Sequence, residues 1–509
     1  MVTYLQVASI FLLAYLAGKL AIILVSGRRH APYPPGPKPK SLIGNMFDFP
    51  MSKAAQTYAE WGKKYNSDLV HAVVLGNHVV VVNTLTDADE LFDRRAGKYS
   101  DRPVPAVVKL MGWDYNVGMI RYGDVWRFHR KICQQNFRRG AAESYHLVQV
   151  EKVHEMLQNL LDTPHKFDDH NKMLSISIPM AAMYGYDVKS FEDPCIVAAN
   201  RSITLGVHLL LPGSSMINIL PFLAHIPAWF PGASSHKVAA EVLKLTREME
   251  RIPTEFVKTR VEEGTAKPSL FSNFLEKKYT VGASKEEEDA IKNIASTVYA
   301  AASDTTISVT GTFFYVMALN PNIQRKAQAE IDRVIGSKRL PGLEDRDSLP
   351  YIEAIYREVM RFQPPVPLSI PHALSEDDYY KGYFIPKGTV RTFNRAMTHD
   401  EQMYPEPFKF KPERFFDQNG KLNHDDRVLA YGFGRRVCVG KYIASTTVWL
   451  TIASILACFD ISKCKDDSGN DIEISDDYED FGLLTHKTKF ECSFVPRSSA
   501  AQQLIDNTR

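Results

Sequence analysis

The sequence predicts a mainly α-helical protein with small β-sheets, built as one large domain behind an N-terminal transmembrane helix. Three observations carry this prediction. The amino terminus is an almost unbroken apolar run, a very long capped helix lies in the middle of the chain, and beyond about residue 40 there is no second linker, low-complexity stretch or repeat.

Residues 2–25 are overwhelmingly apolar, and at about 1.5 Å per residue such a helix reaches roughly the thickness of a bilayer's hydrocarbon core. Lys19 is the single charge in the run, two turns from its end, where its stem can carry the ammonium toward the headgroups. No basic residue precedes the run and no small-x-small cleavage site follows it, which favours a retained anchor over a cleaved signal peptide. Arg28, Arg29 and His30 come next and leave the body of the protein in the cytoplasm by the positive-inside rule. The following Pro32-Tyr33-Pro34-Pro35-Gly36-Pro37-Lys38-Pro39 cannot sustain a helix and reads as a semi-rigid spacer. Residues 1–27 are thus the anchor, 28–40 a basic and proline-rich hinge, and 41–509 the folded domain.

Within that domain, 69–75 and 79–82 are β-rich runs parted by Gly76-Asn77-His78, a hairpin pattern. The clearest helix starts at Ser284, which forms a capping-box pattern with Glu287 and precedes an acidic first turn; Asn320-Pro321 stops it. In its middle, Ser303-Asp304-Thr305-Thr306 interrupts an apolar face. Hydroxyls there can bond back to the preceding turn. A carboxylate in a core is costly unless it is paired or functional, so the cluster predicts a helix bordering a polar, reactive cavity. A second helix over 351–362 carries Glu358 and Arg361 three residues apart on one face.

The composition excludes several function classes. With 45% hydrophobic residues and 61 Lys+Arg against 59 Asp+Glu, the 509-residue chain is neither a disordered polyelectrolyte nor a nucleic-acid binder relying on surplus cations. Its negative mean hydropathy excludes a many-span transporter. Six scattered cysteines without a C-x-x-C exclude a disulfide scaffold and a zinc finger.

One cysteine stands apart. Tyr431-Gly432-Phe433-Gly434-Arg435-Arg436-Val437-Cys438-Val439-Gly440 leads into an apolar helical run. The glycines permit tight turns, while the helix amino terminus and the Arg436 cation both favour thiolate over thiol. Those are conditions for a metal ligand. A dinucleotide loop is excluded because the third glycine and a preceding strand are missing.

Here the sequence closely resembles the cytochrome P-450 haem-thiolate monooxygenases. The resemblance spans the chain in the family's order: anchor, proline hinge, Trp126-Arg127-Phe128-His129-Arg130, the Asp304-Thr305 helix, Glu358-x-x-Arg361, Pro412-Glu413-Arg414-Phe415 and the cysteine loop. It implies the P-450 fold as a single haem domain, haem b as cofactor, and Cys438 as the axial thiolate whose electron donation favours O–O cleavage. It implies haem-propionate partners at Trp126 and Arg130, four apart on one helical face, and at His372 and Arg436. Glu358, Arg361 and Arg414 resemble the buried charge network that braces the haem core, a structural role. Asp304 and Thr305 resemble the pair that supplies protons for oxygen activation. The expected reaction inserts one atom of O2 into an unactivated C–H bond.

Four positions depart from the family's common pattern: Ala302 stands for Gly, Tyr431 for Phe, Val439 for Pro and Arg395 for Trp. The resemblance further implies an NADPH-cytochrome P-450 reductase partner, approached through a basic patch of Arg127, Lys131, Arg138, Arg139 and Arg435, and residence in the endoplasmic reticulum membrane. By analogy, the pocket segments are 103–118, 209–230, 299–302, 366–370 and 481–484. They are rich in apolar side chains and offer no basic cluster, which points to a neutral lipophilic substrate; the 226–231 segment is suited to dip into the membrane. The segments 44–48 and 375–379 resemble fungal secondary-metabolism members, and the preferred substrate is a terpenoid scaffold, ahead of an aromatic polyketide or indole. Two competing functions are a reductase-independent haem-thiolate isomerase or dehydratase and a non-catalytic haem or sterol carrier. Neither needs the acid and hydroxyl that Asp304-Thr305 retains.

Overall fold

The computed structural model describes Gly18 and residues 31–509 other than 42, 51, 211–213, 227–232, 394 and 481–482. The expected anchor apart from Gly18, its basic flank, nearly all of the 226–231 segment and the first two residues of 481–484 lie outside the described residues. The chain forms two compact units, residues 1–103 with 371–396 and residues 104–370 with 397–509. The described residues are mainly helical with four small sheets, and the sequence predicts this mainly helical class with small sheets.

The first unit is built on a four-stranded sheet. Strands β1 (Leu69–Val74) and β2 (Asn77–Val82) pair antiparallel from Leu69 opposite Val82 to Val74 opposite Asn77. The two-residue turn between them is Leu75-Gly76, with φ of 47° and 78°, the double left-handed conformation that matches the strands' twist. The predicted hairpin is present, and its second strand begins two residues before the predicted start because the turn is so tight. Strand β3 (His372–Ala373), a small hairpin of β4 (Asp378–Tyr380) and β5 (Tyr383–Ile385), and β6 (Val390–Phe393) follow; β6 lies parallel to β2 and antiparallel to β3. Helix α1 (Ala54–Lys64) leads into β1. The proline segment lies against this sheet. Pro35 O accepts from the His71 N–H at 2.9 Å, Pro32 O from the Phe384 N–H at 2.8 Å, and the Tyr33 ring stacks on His71 at 4.9 Å.

The second unit holds the long helices α2 (Asp124–Phe137), α3 (His146–Asp162), α4 (Phe167–Tyr184), α5 (Pro194–Leu210), α6 (Ser234–Glu262) and α7 (Leu270–Val281). They continue with α8 (Lys285–Leu319), α9 (Pro321–Val334), α10 (Pro350–Phe362) and α11 (Lys441–Cys458). Two antiparallel ribbons complete it, β7 (Phe459–Lys463) with β10 (Cys492–Pro496) and β8 (Tyr478–Asp480) with β9 (Thr485–Lys487). Among the described residues only α11 is long and apolar enough to cross a membrane; 67% of it is buried inside the fold, the mark of a core helix.

Helix α8 is the 35-residue helix the sequence predicts, capped by Ser284 Oγ accepting from the Glu287 N–H at 3.1 Å. The reciprocal half of the capping box is replaced, since the Glu287 carboxylate takes Lys277 at 2.6 Å instead. The amino-terminal half of α8, up to Tyr299, belongs to a core with α2, α4, α5, α6 and α7. Its carboxy-terminal half, from Val309, belongs to a second core with α3, α9, α10 and α11. Residues 300–308 contribute to neither apolar cluster. This is where the polar cluster sits.

On α6, burial raises the Glu250 carboxyl to about 7, helped by the nearby Asp114 and opposed by Lys292. The unfolded chain gives up this proton near the ordinary value of 4.5, so the group's contribution to stability is full below that pH and is lost as pH climbs toward 7. Glu250→Gln is expected to be close to neutral at about pH 4 and to stabilise the protein by about 1–3 kcal/mol at about pH 8. Thermal unfolding at both pH values checks this, and an equal shift at both would contradict it.

Candidate active site

The cysteine loop is shaped by Gly432 (φ 80°) and Gly434 (φ 54°), both in the left-handed region that other residues avoid. Between them and α11, the Cys438 N–H donates to Tyr431 O at 2.9 Å, which closes the loop. The thiol receives the backbone N–H of Gly440, the N-cap of α11, and feels the cations of Arg130 and Lys441. Burial pushes the thiol up, and these three groups pull it back toward thiolate. The sequence reading placed the acting cation at Arg436. The structure turns Arg436 the other way, with its Nη2 donating to Ile120 O at 2.8 Å and its guanidinium 4.5 Å from the Trp126 ring centre.

Cys438 is surrounded by protein densely enough for burial to dominate its titration, yet the residue itself is exposed. That combination marks the wall of an internal cavity. The other cysteines of the chain are buried or half-buried. The same signature occurs in the first turns of α11, where residues 441–446 are half-exposed while the rest of the helix is almost wholly buried. It occurs again on α8, where Ala301 is exposed and Ala302, Asp304 and Thr305 are half-exposed on a helix flanked by two packed cores. Val439 and Ile443, on either side of the α11 N-cap, pack on the core that ends at Tyr299, so both walls border one apolar cluster. A single accessible sulfur held by amide and cationic neighbours fits a metal-centred prosthetic group taking one thiolate ligand. A metal ion's charge reverses the effect of burial on a thiol. The described residues contain no cluster of three His, Cys, Asp or Glu side chains suited to a bare ion.

Trp126 and Arg130 share one face of α2, as their spacing predicts. Trp126 is buried. Arg130 Nη2 donates to Val437 O at 2.6 Å, which ties α2 to the residue before the cysteine. Trp126, Arg130, Arg436 and Cys438 therefore converge in the second unit. His372 lies in the first unit, buried in β3, with its Nδ1–H donating to Tyr99 O at 2.8 Å and its ring edge-on to Phe92.

Asp304 is half-buried rather than enclosed in the core, and its Oδ1 lies 3.3 Å from Nε2 of His486 on β9. The Thr305 hydroxyl donates to Ala301 O at 2.9 Å and Ser303 Oγ to Tyr299 O at 2.9 Å, so both make the back-bonds expected of such residues inside a helix. Glu358, fully buried, accepts from Arg361 Nε at 2.7 Å, from Arg414 Nε at 3.1 Å and from the Lys411 N–H at 2.8 Å. Arg361 and Arg414 spend their remaining donors on the carbonyls of Thr398, Pro407, Pro405, Glu406 and Lys409. The trio fastens the 397–416 segment to α10.

Three contributors were not foreseen. His486 pairs with Asp304, Lys441 supplies charge at Cys438, and Gln149 on α3 is fully buried with its Nε2, which has two protons to donate, within hydrogen-bond distance of Ile443 O, Thr446 Oγ1 and Thr447 Oγ1 at the start of α11. Lys441 is the only one with a local signal, its position three residues after the cysteine. The Tyr431 departure also has a structural counterpart, because its hydroxyl meets that of Tyr356 at 3.1 Å. Of the expected pocket residues, Val107, Val108, Met111, Trp113, Tyr115 and Tyr299 are packed in the core.

Comparison with known proteins gives a family match to Cytochrome P-450 over residues 34–494. The chain is 39% identical over 504 residues to the cytochrome P-450 monooxygenase COX2 of Coprinopsis cinerea, covering 97% of this chain and 95% of the relative. It is 40% identical over 503 residues to the cytochrome P-450 monooxygenase 208 of Postia placenta, covering 97% and 96%. Order of motifs, geometry of the cysteine loop and full-length similarity agree: the chain belongs to the cytochrome P-450 family of haem b-dependent monooxygenases, which act on small molecules with O2 and a redox partner.

Proposed function

We propose that this protein hydroxylates a neutral lipophilic metabolite, with a terpenoid scaffold preferred over an aromatic polyketide or indole, in a fungal biosynthetic pathway. The observation that supports it most is the accessible Cys438 held in an enclosed wall, in a chain whose relatives are fungal monooxygenases. The anchor would hold the enzyme by a single pass in the endoplasmic reticulum membrane, with residues 41–509 as a cytoplasmic haem domain.

Cys438 is the thiolate ligand. Trp126, Arg130 and Arg436 would be propionate partners, donors suited to paired carboxylates, and the family resemblance proposes the same role for His372. Haem supplies the O2 activation that no side chain performs, and the protein controls position and proton supply. Thr305 already donates its hydroxyl proton to Ala301 O, so its oxygen lone pairs are what it offers the cavity. It would hold a water by accepting from it, and Asp304, one residue earlier, would feed protons to that position. Ala301 and Ala302 keep the helix surface there low.

Electrons come from NADPH-cytochrome P-450 reductase. Arg127 and Arg435, both exposed, stand 5.3 and 5.5 Å from the Tyr122 ring, which supports a shared basic face at these two residues.

The direct test is incubation of the membrane-bound enzyme and reductase with extracts of the producing fungus under labelled O2, with mass spectrometry to find NADPH-dependent products that gain one labelled oxygen. Conversion that proceeds without reductase, with no gain of label, would favour the isomerase reading. With the substrate in hand, Thr305→Ala is expected to lower the coupling of NADPH to product by about tenfold. Unchanged coupling would contradict the proton role.

Arg130→Leu removes a cation beside the thiol and leaves Val437 O without this donor. Haem bound per protein is expected to fall by about threefold or more, measured as pyridine haemochrome, while Lys131→Gln on the exposed face of the same helix keeps its haem.

A further inference from the structure

The carboxylate of Asp304 is held from outside its own helix. Its partner, His486, sits on β9, and the residue before it is fastened on three sides. Thr485 O accepts from Ser308 Oγ on α8, the Thr485 N–H donates to Pro365 O at 3.0 Å, and Thr485 Oγ1 accepts from Gln363 Nε2 at 3.2 Å. Thr485, Ser308 and Gln363 are all buried. One residue along, His486 therefore arrives at Asp304 from a strand whose position is fixed against α8 and against the turn after α10. Asp304 and Ser308 lie four apart, on one face of α8, so the strand grips that helix at two successive turns. A surface ion pair of two mobile side chains lacks such an anchorage.

We infer that His486 is a positioning residue for Asp304: it holds the carboxylate beside Thr305, on the wall of the cavity, so that the proton donor is in place when oxygen is activated. The inference rests on the reading of Asp304 as that donor. Nε2 lies 3.3 Å from Oδ1, and the role proposed for it requires a hydrogen-bond donor at that point. Glutamine reaches similarly with its Nε2, whereas phenylalanine fills the space without donating. Across the hairpin His486 is paired with the exposed Glu479, which offers a control for any effect of local charge.

The test uses the haem-loaded, full-length enzyme with reductase, following NADPH-driven O2 consumption without added substrate. Haem-thiolate content is checked for every variant by the carbon monoxide difference spectrum, and rates are expressed per haem. Asp304→Asn is expected to slow turnover. His486→Phe should slow it by about three- to tenfold, a fraction of what general acid catalysis supplies. His486→Gln should restore most of that loss, and His486→Phe added to Asp304→Asn should slow it no further. Glu479→Gln should match the wild type.

A second readout is independent of turnover. Carbethoxylation of His486 by diethyl pyrocarbonate, followed by peptide mass spectrometry, should be about two- to fivefold faster in Asp304→Ala, where Nε2 has lost this partner. A His486→Phe enzyme of wild-type rate, a His486→Gln enzyme as slow as His486→Phe, or losses that multiply in the double variant would overturn the inference. Wild-type turnover in Asp304→Asn would overturn the underlying reading and the inference with it.

Discussion

The thiol of Cys438 is the point on which the site depends, and it is held in a balance. Burial favours the neutral thiol, while the Gly440 amide, Arg130 and Lys441 favour the anion. The opposing groups come from two distant parts of the chain: Gly440 and Lys441 from the start of α11, and Arg130 from the middle of α2. Arg130 also binds Val437 O, so the same side chain that lends charge fixes the backbone one residue before the sulfur. A loop with two left-handed glycines can present a sulfur at this angle, and the hydrogen bond from the Cys438 N–H to Tyr431 O keeps the loop closed. What results is an accessible thiol that, as the proposed ligand, would ionise when a positive metal centre meets it.

The remainder of the second unit keeps two walls in register with that sulfur. Helix α8 is anchored in one core up to Tyr299 and in another from Val309, and the stretch between them can remain polar and open because both ends are packed. Gln149 fixes the start of α11 through its side-chain amide, and the Glu358 trio fixes the segment 397–416. A fully buried carboxylate is tolerable because two guanidiniums and a backbone amide satisfy it; removal of one partner from such a group typically costs about 3–5 kcal/mol. These are structural uses of charge. They leave accessible Cys438 and Asp304, the two groups to which the proposed function gives reactive roles.

Much of this was legible in the sequence because its signals are local. The Ser284 cap and the Asn320-Pro321 stop bound α8, the β-rich runs on either side of Gly76 give the hairpin, and Gly432, Gly434 and Cys438 give the loop. The spacing of Trp126 and Arg130 gives one face of a helix. What escaped is non-local. Arg436 looks like the cation for Cys438 because it is two residues away, yet backbone geometry turns it to Trp126 and Ile120 and brings in Arg130 from 308 positions earlier. Asp304 reads as buried from its apolar flanks, and only the tertiary fold shows that those flanks serve two separate cores. His486 carries no motif, and its meaning comes from the register of β9 against α8.

The central claim is that Cys438 is the ligand, and the carbon monoxide difference spectrum of the reduced, haem-loaded protein tests it most directly. Cys133 is the informative control, because this buried thiol also lies in the field of Arg130 and Cys438. The account predicts a thiolate-type spectrum for the wild type and for Cys133→Ala, and its loss in Cys438→Ala. A Cys438→Ala protein that kept the thiolate-type spectrum would contradict it.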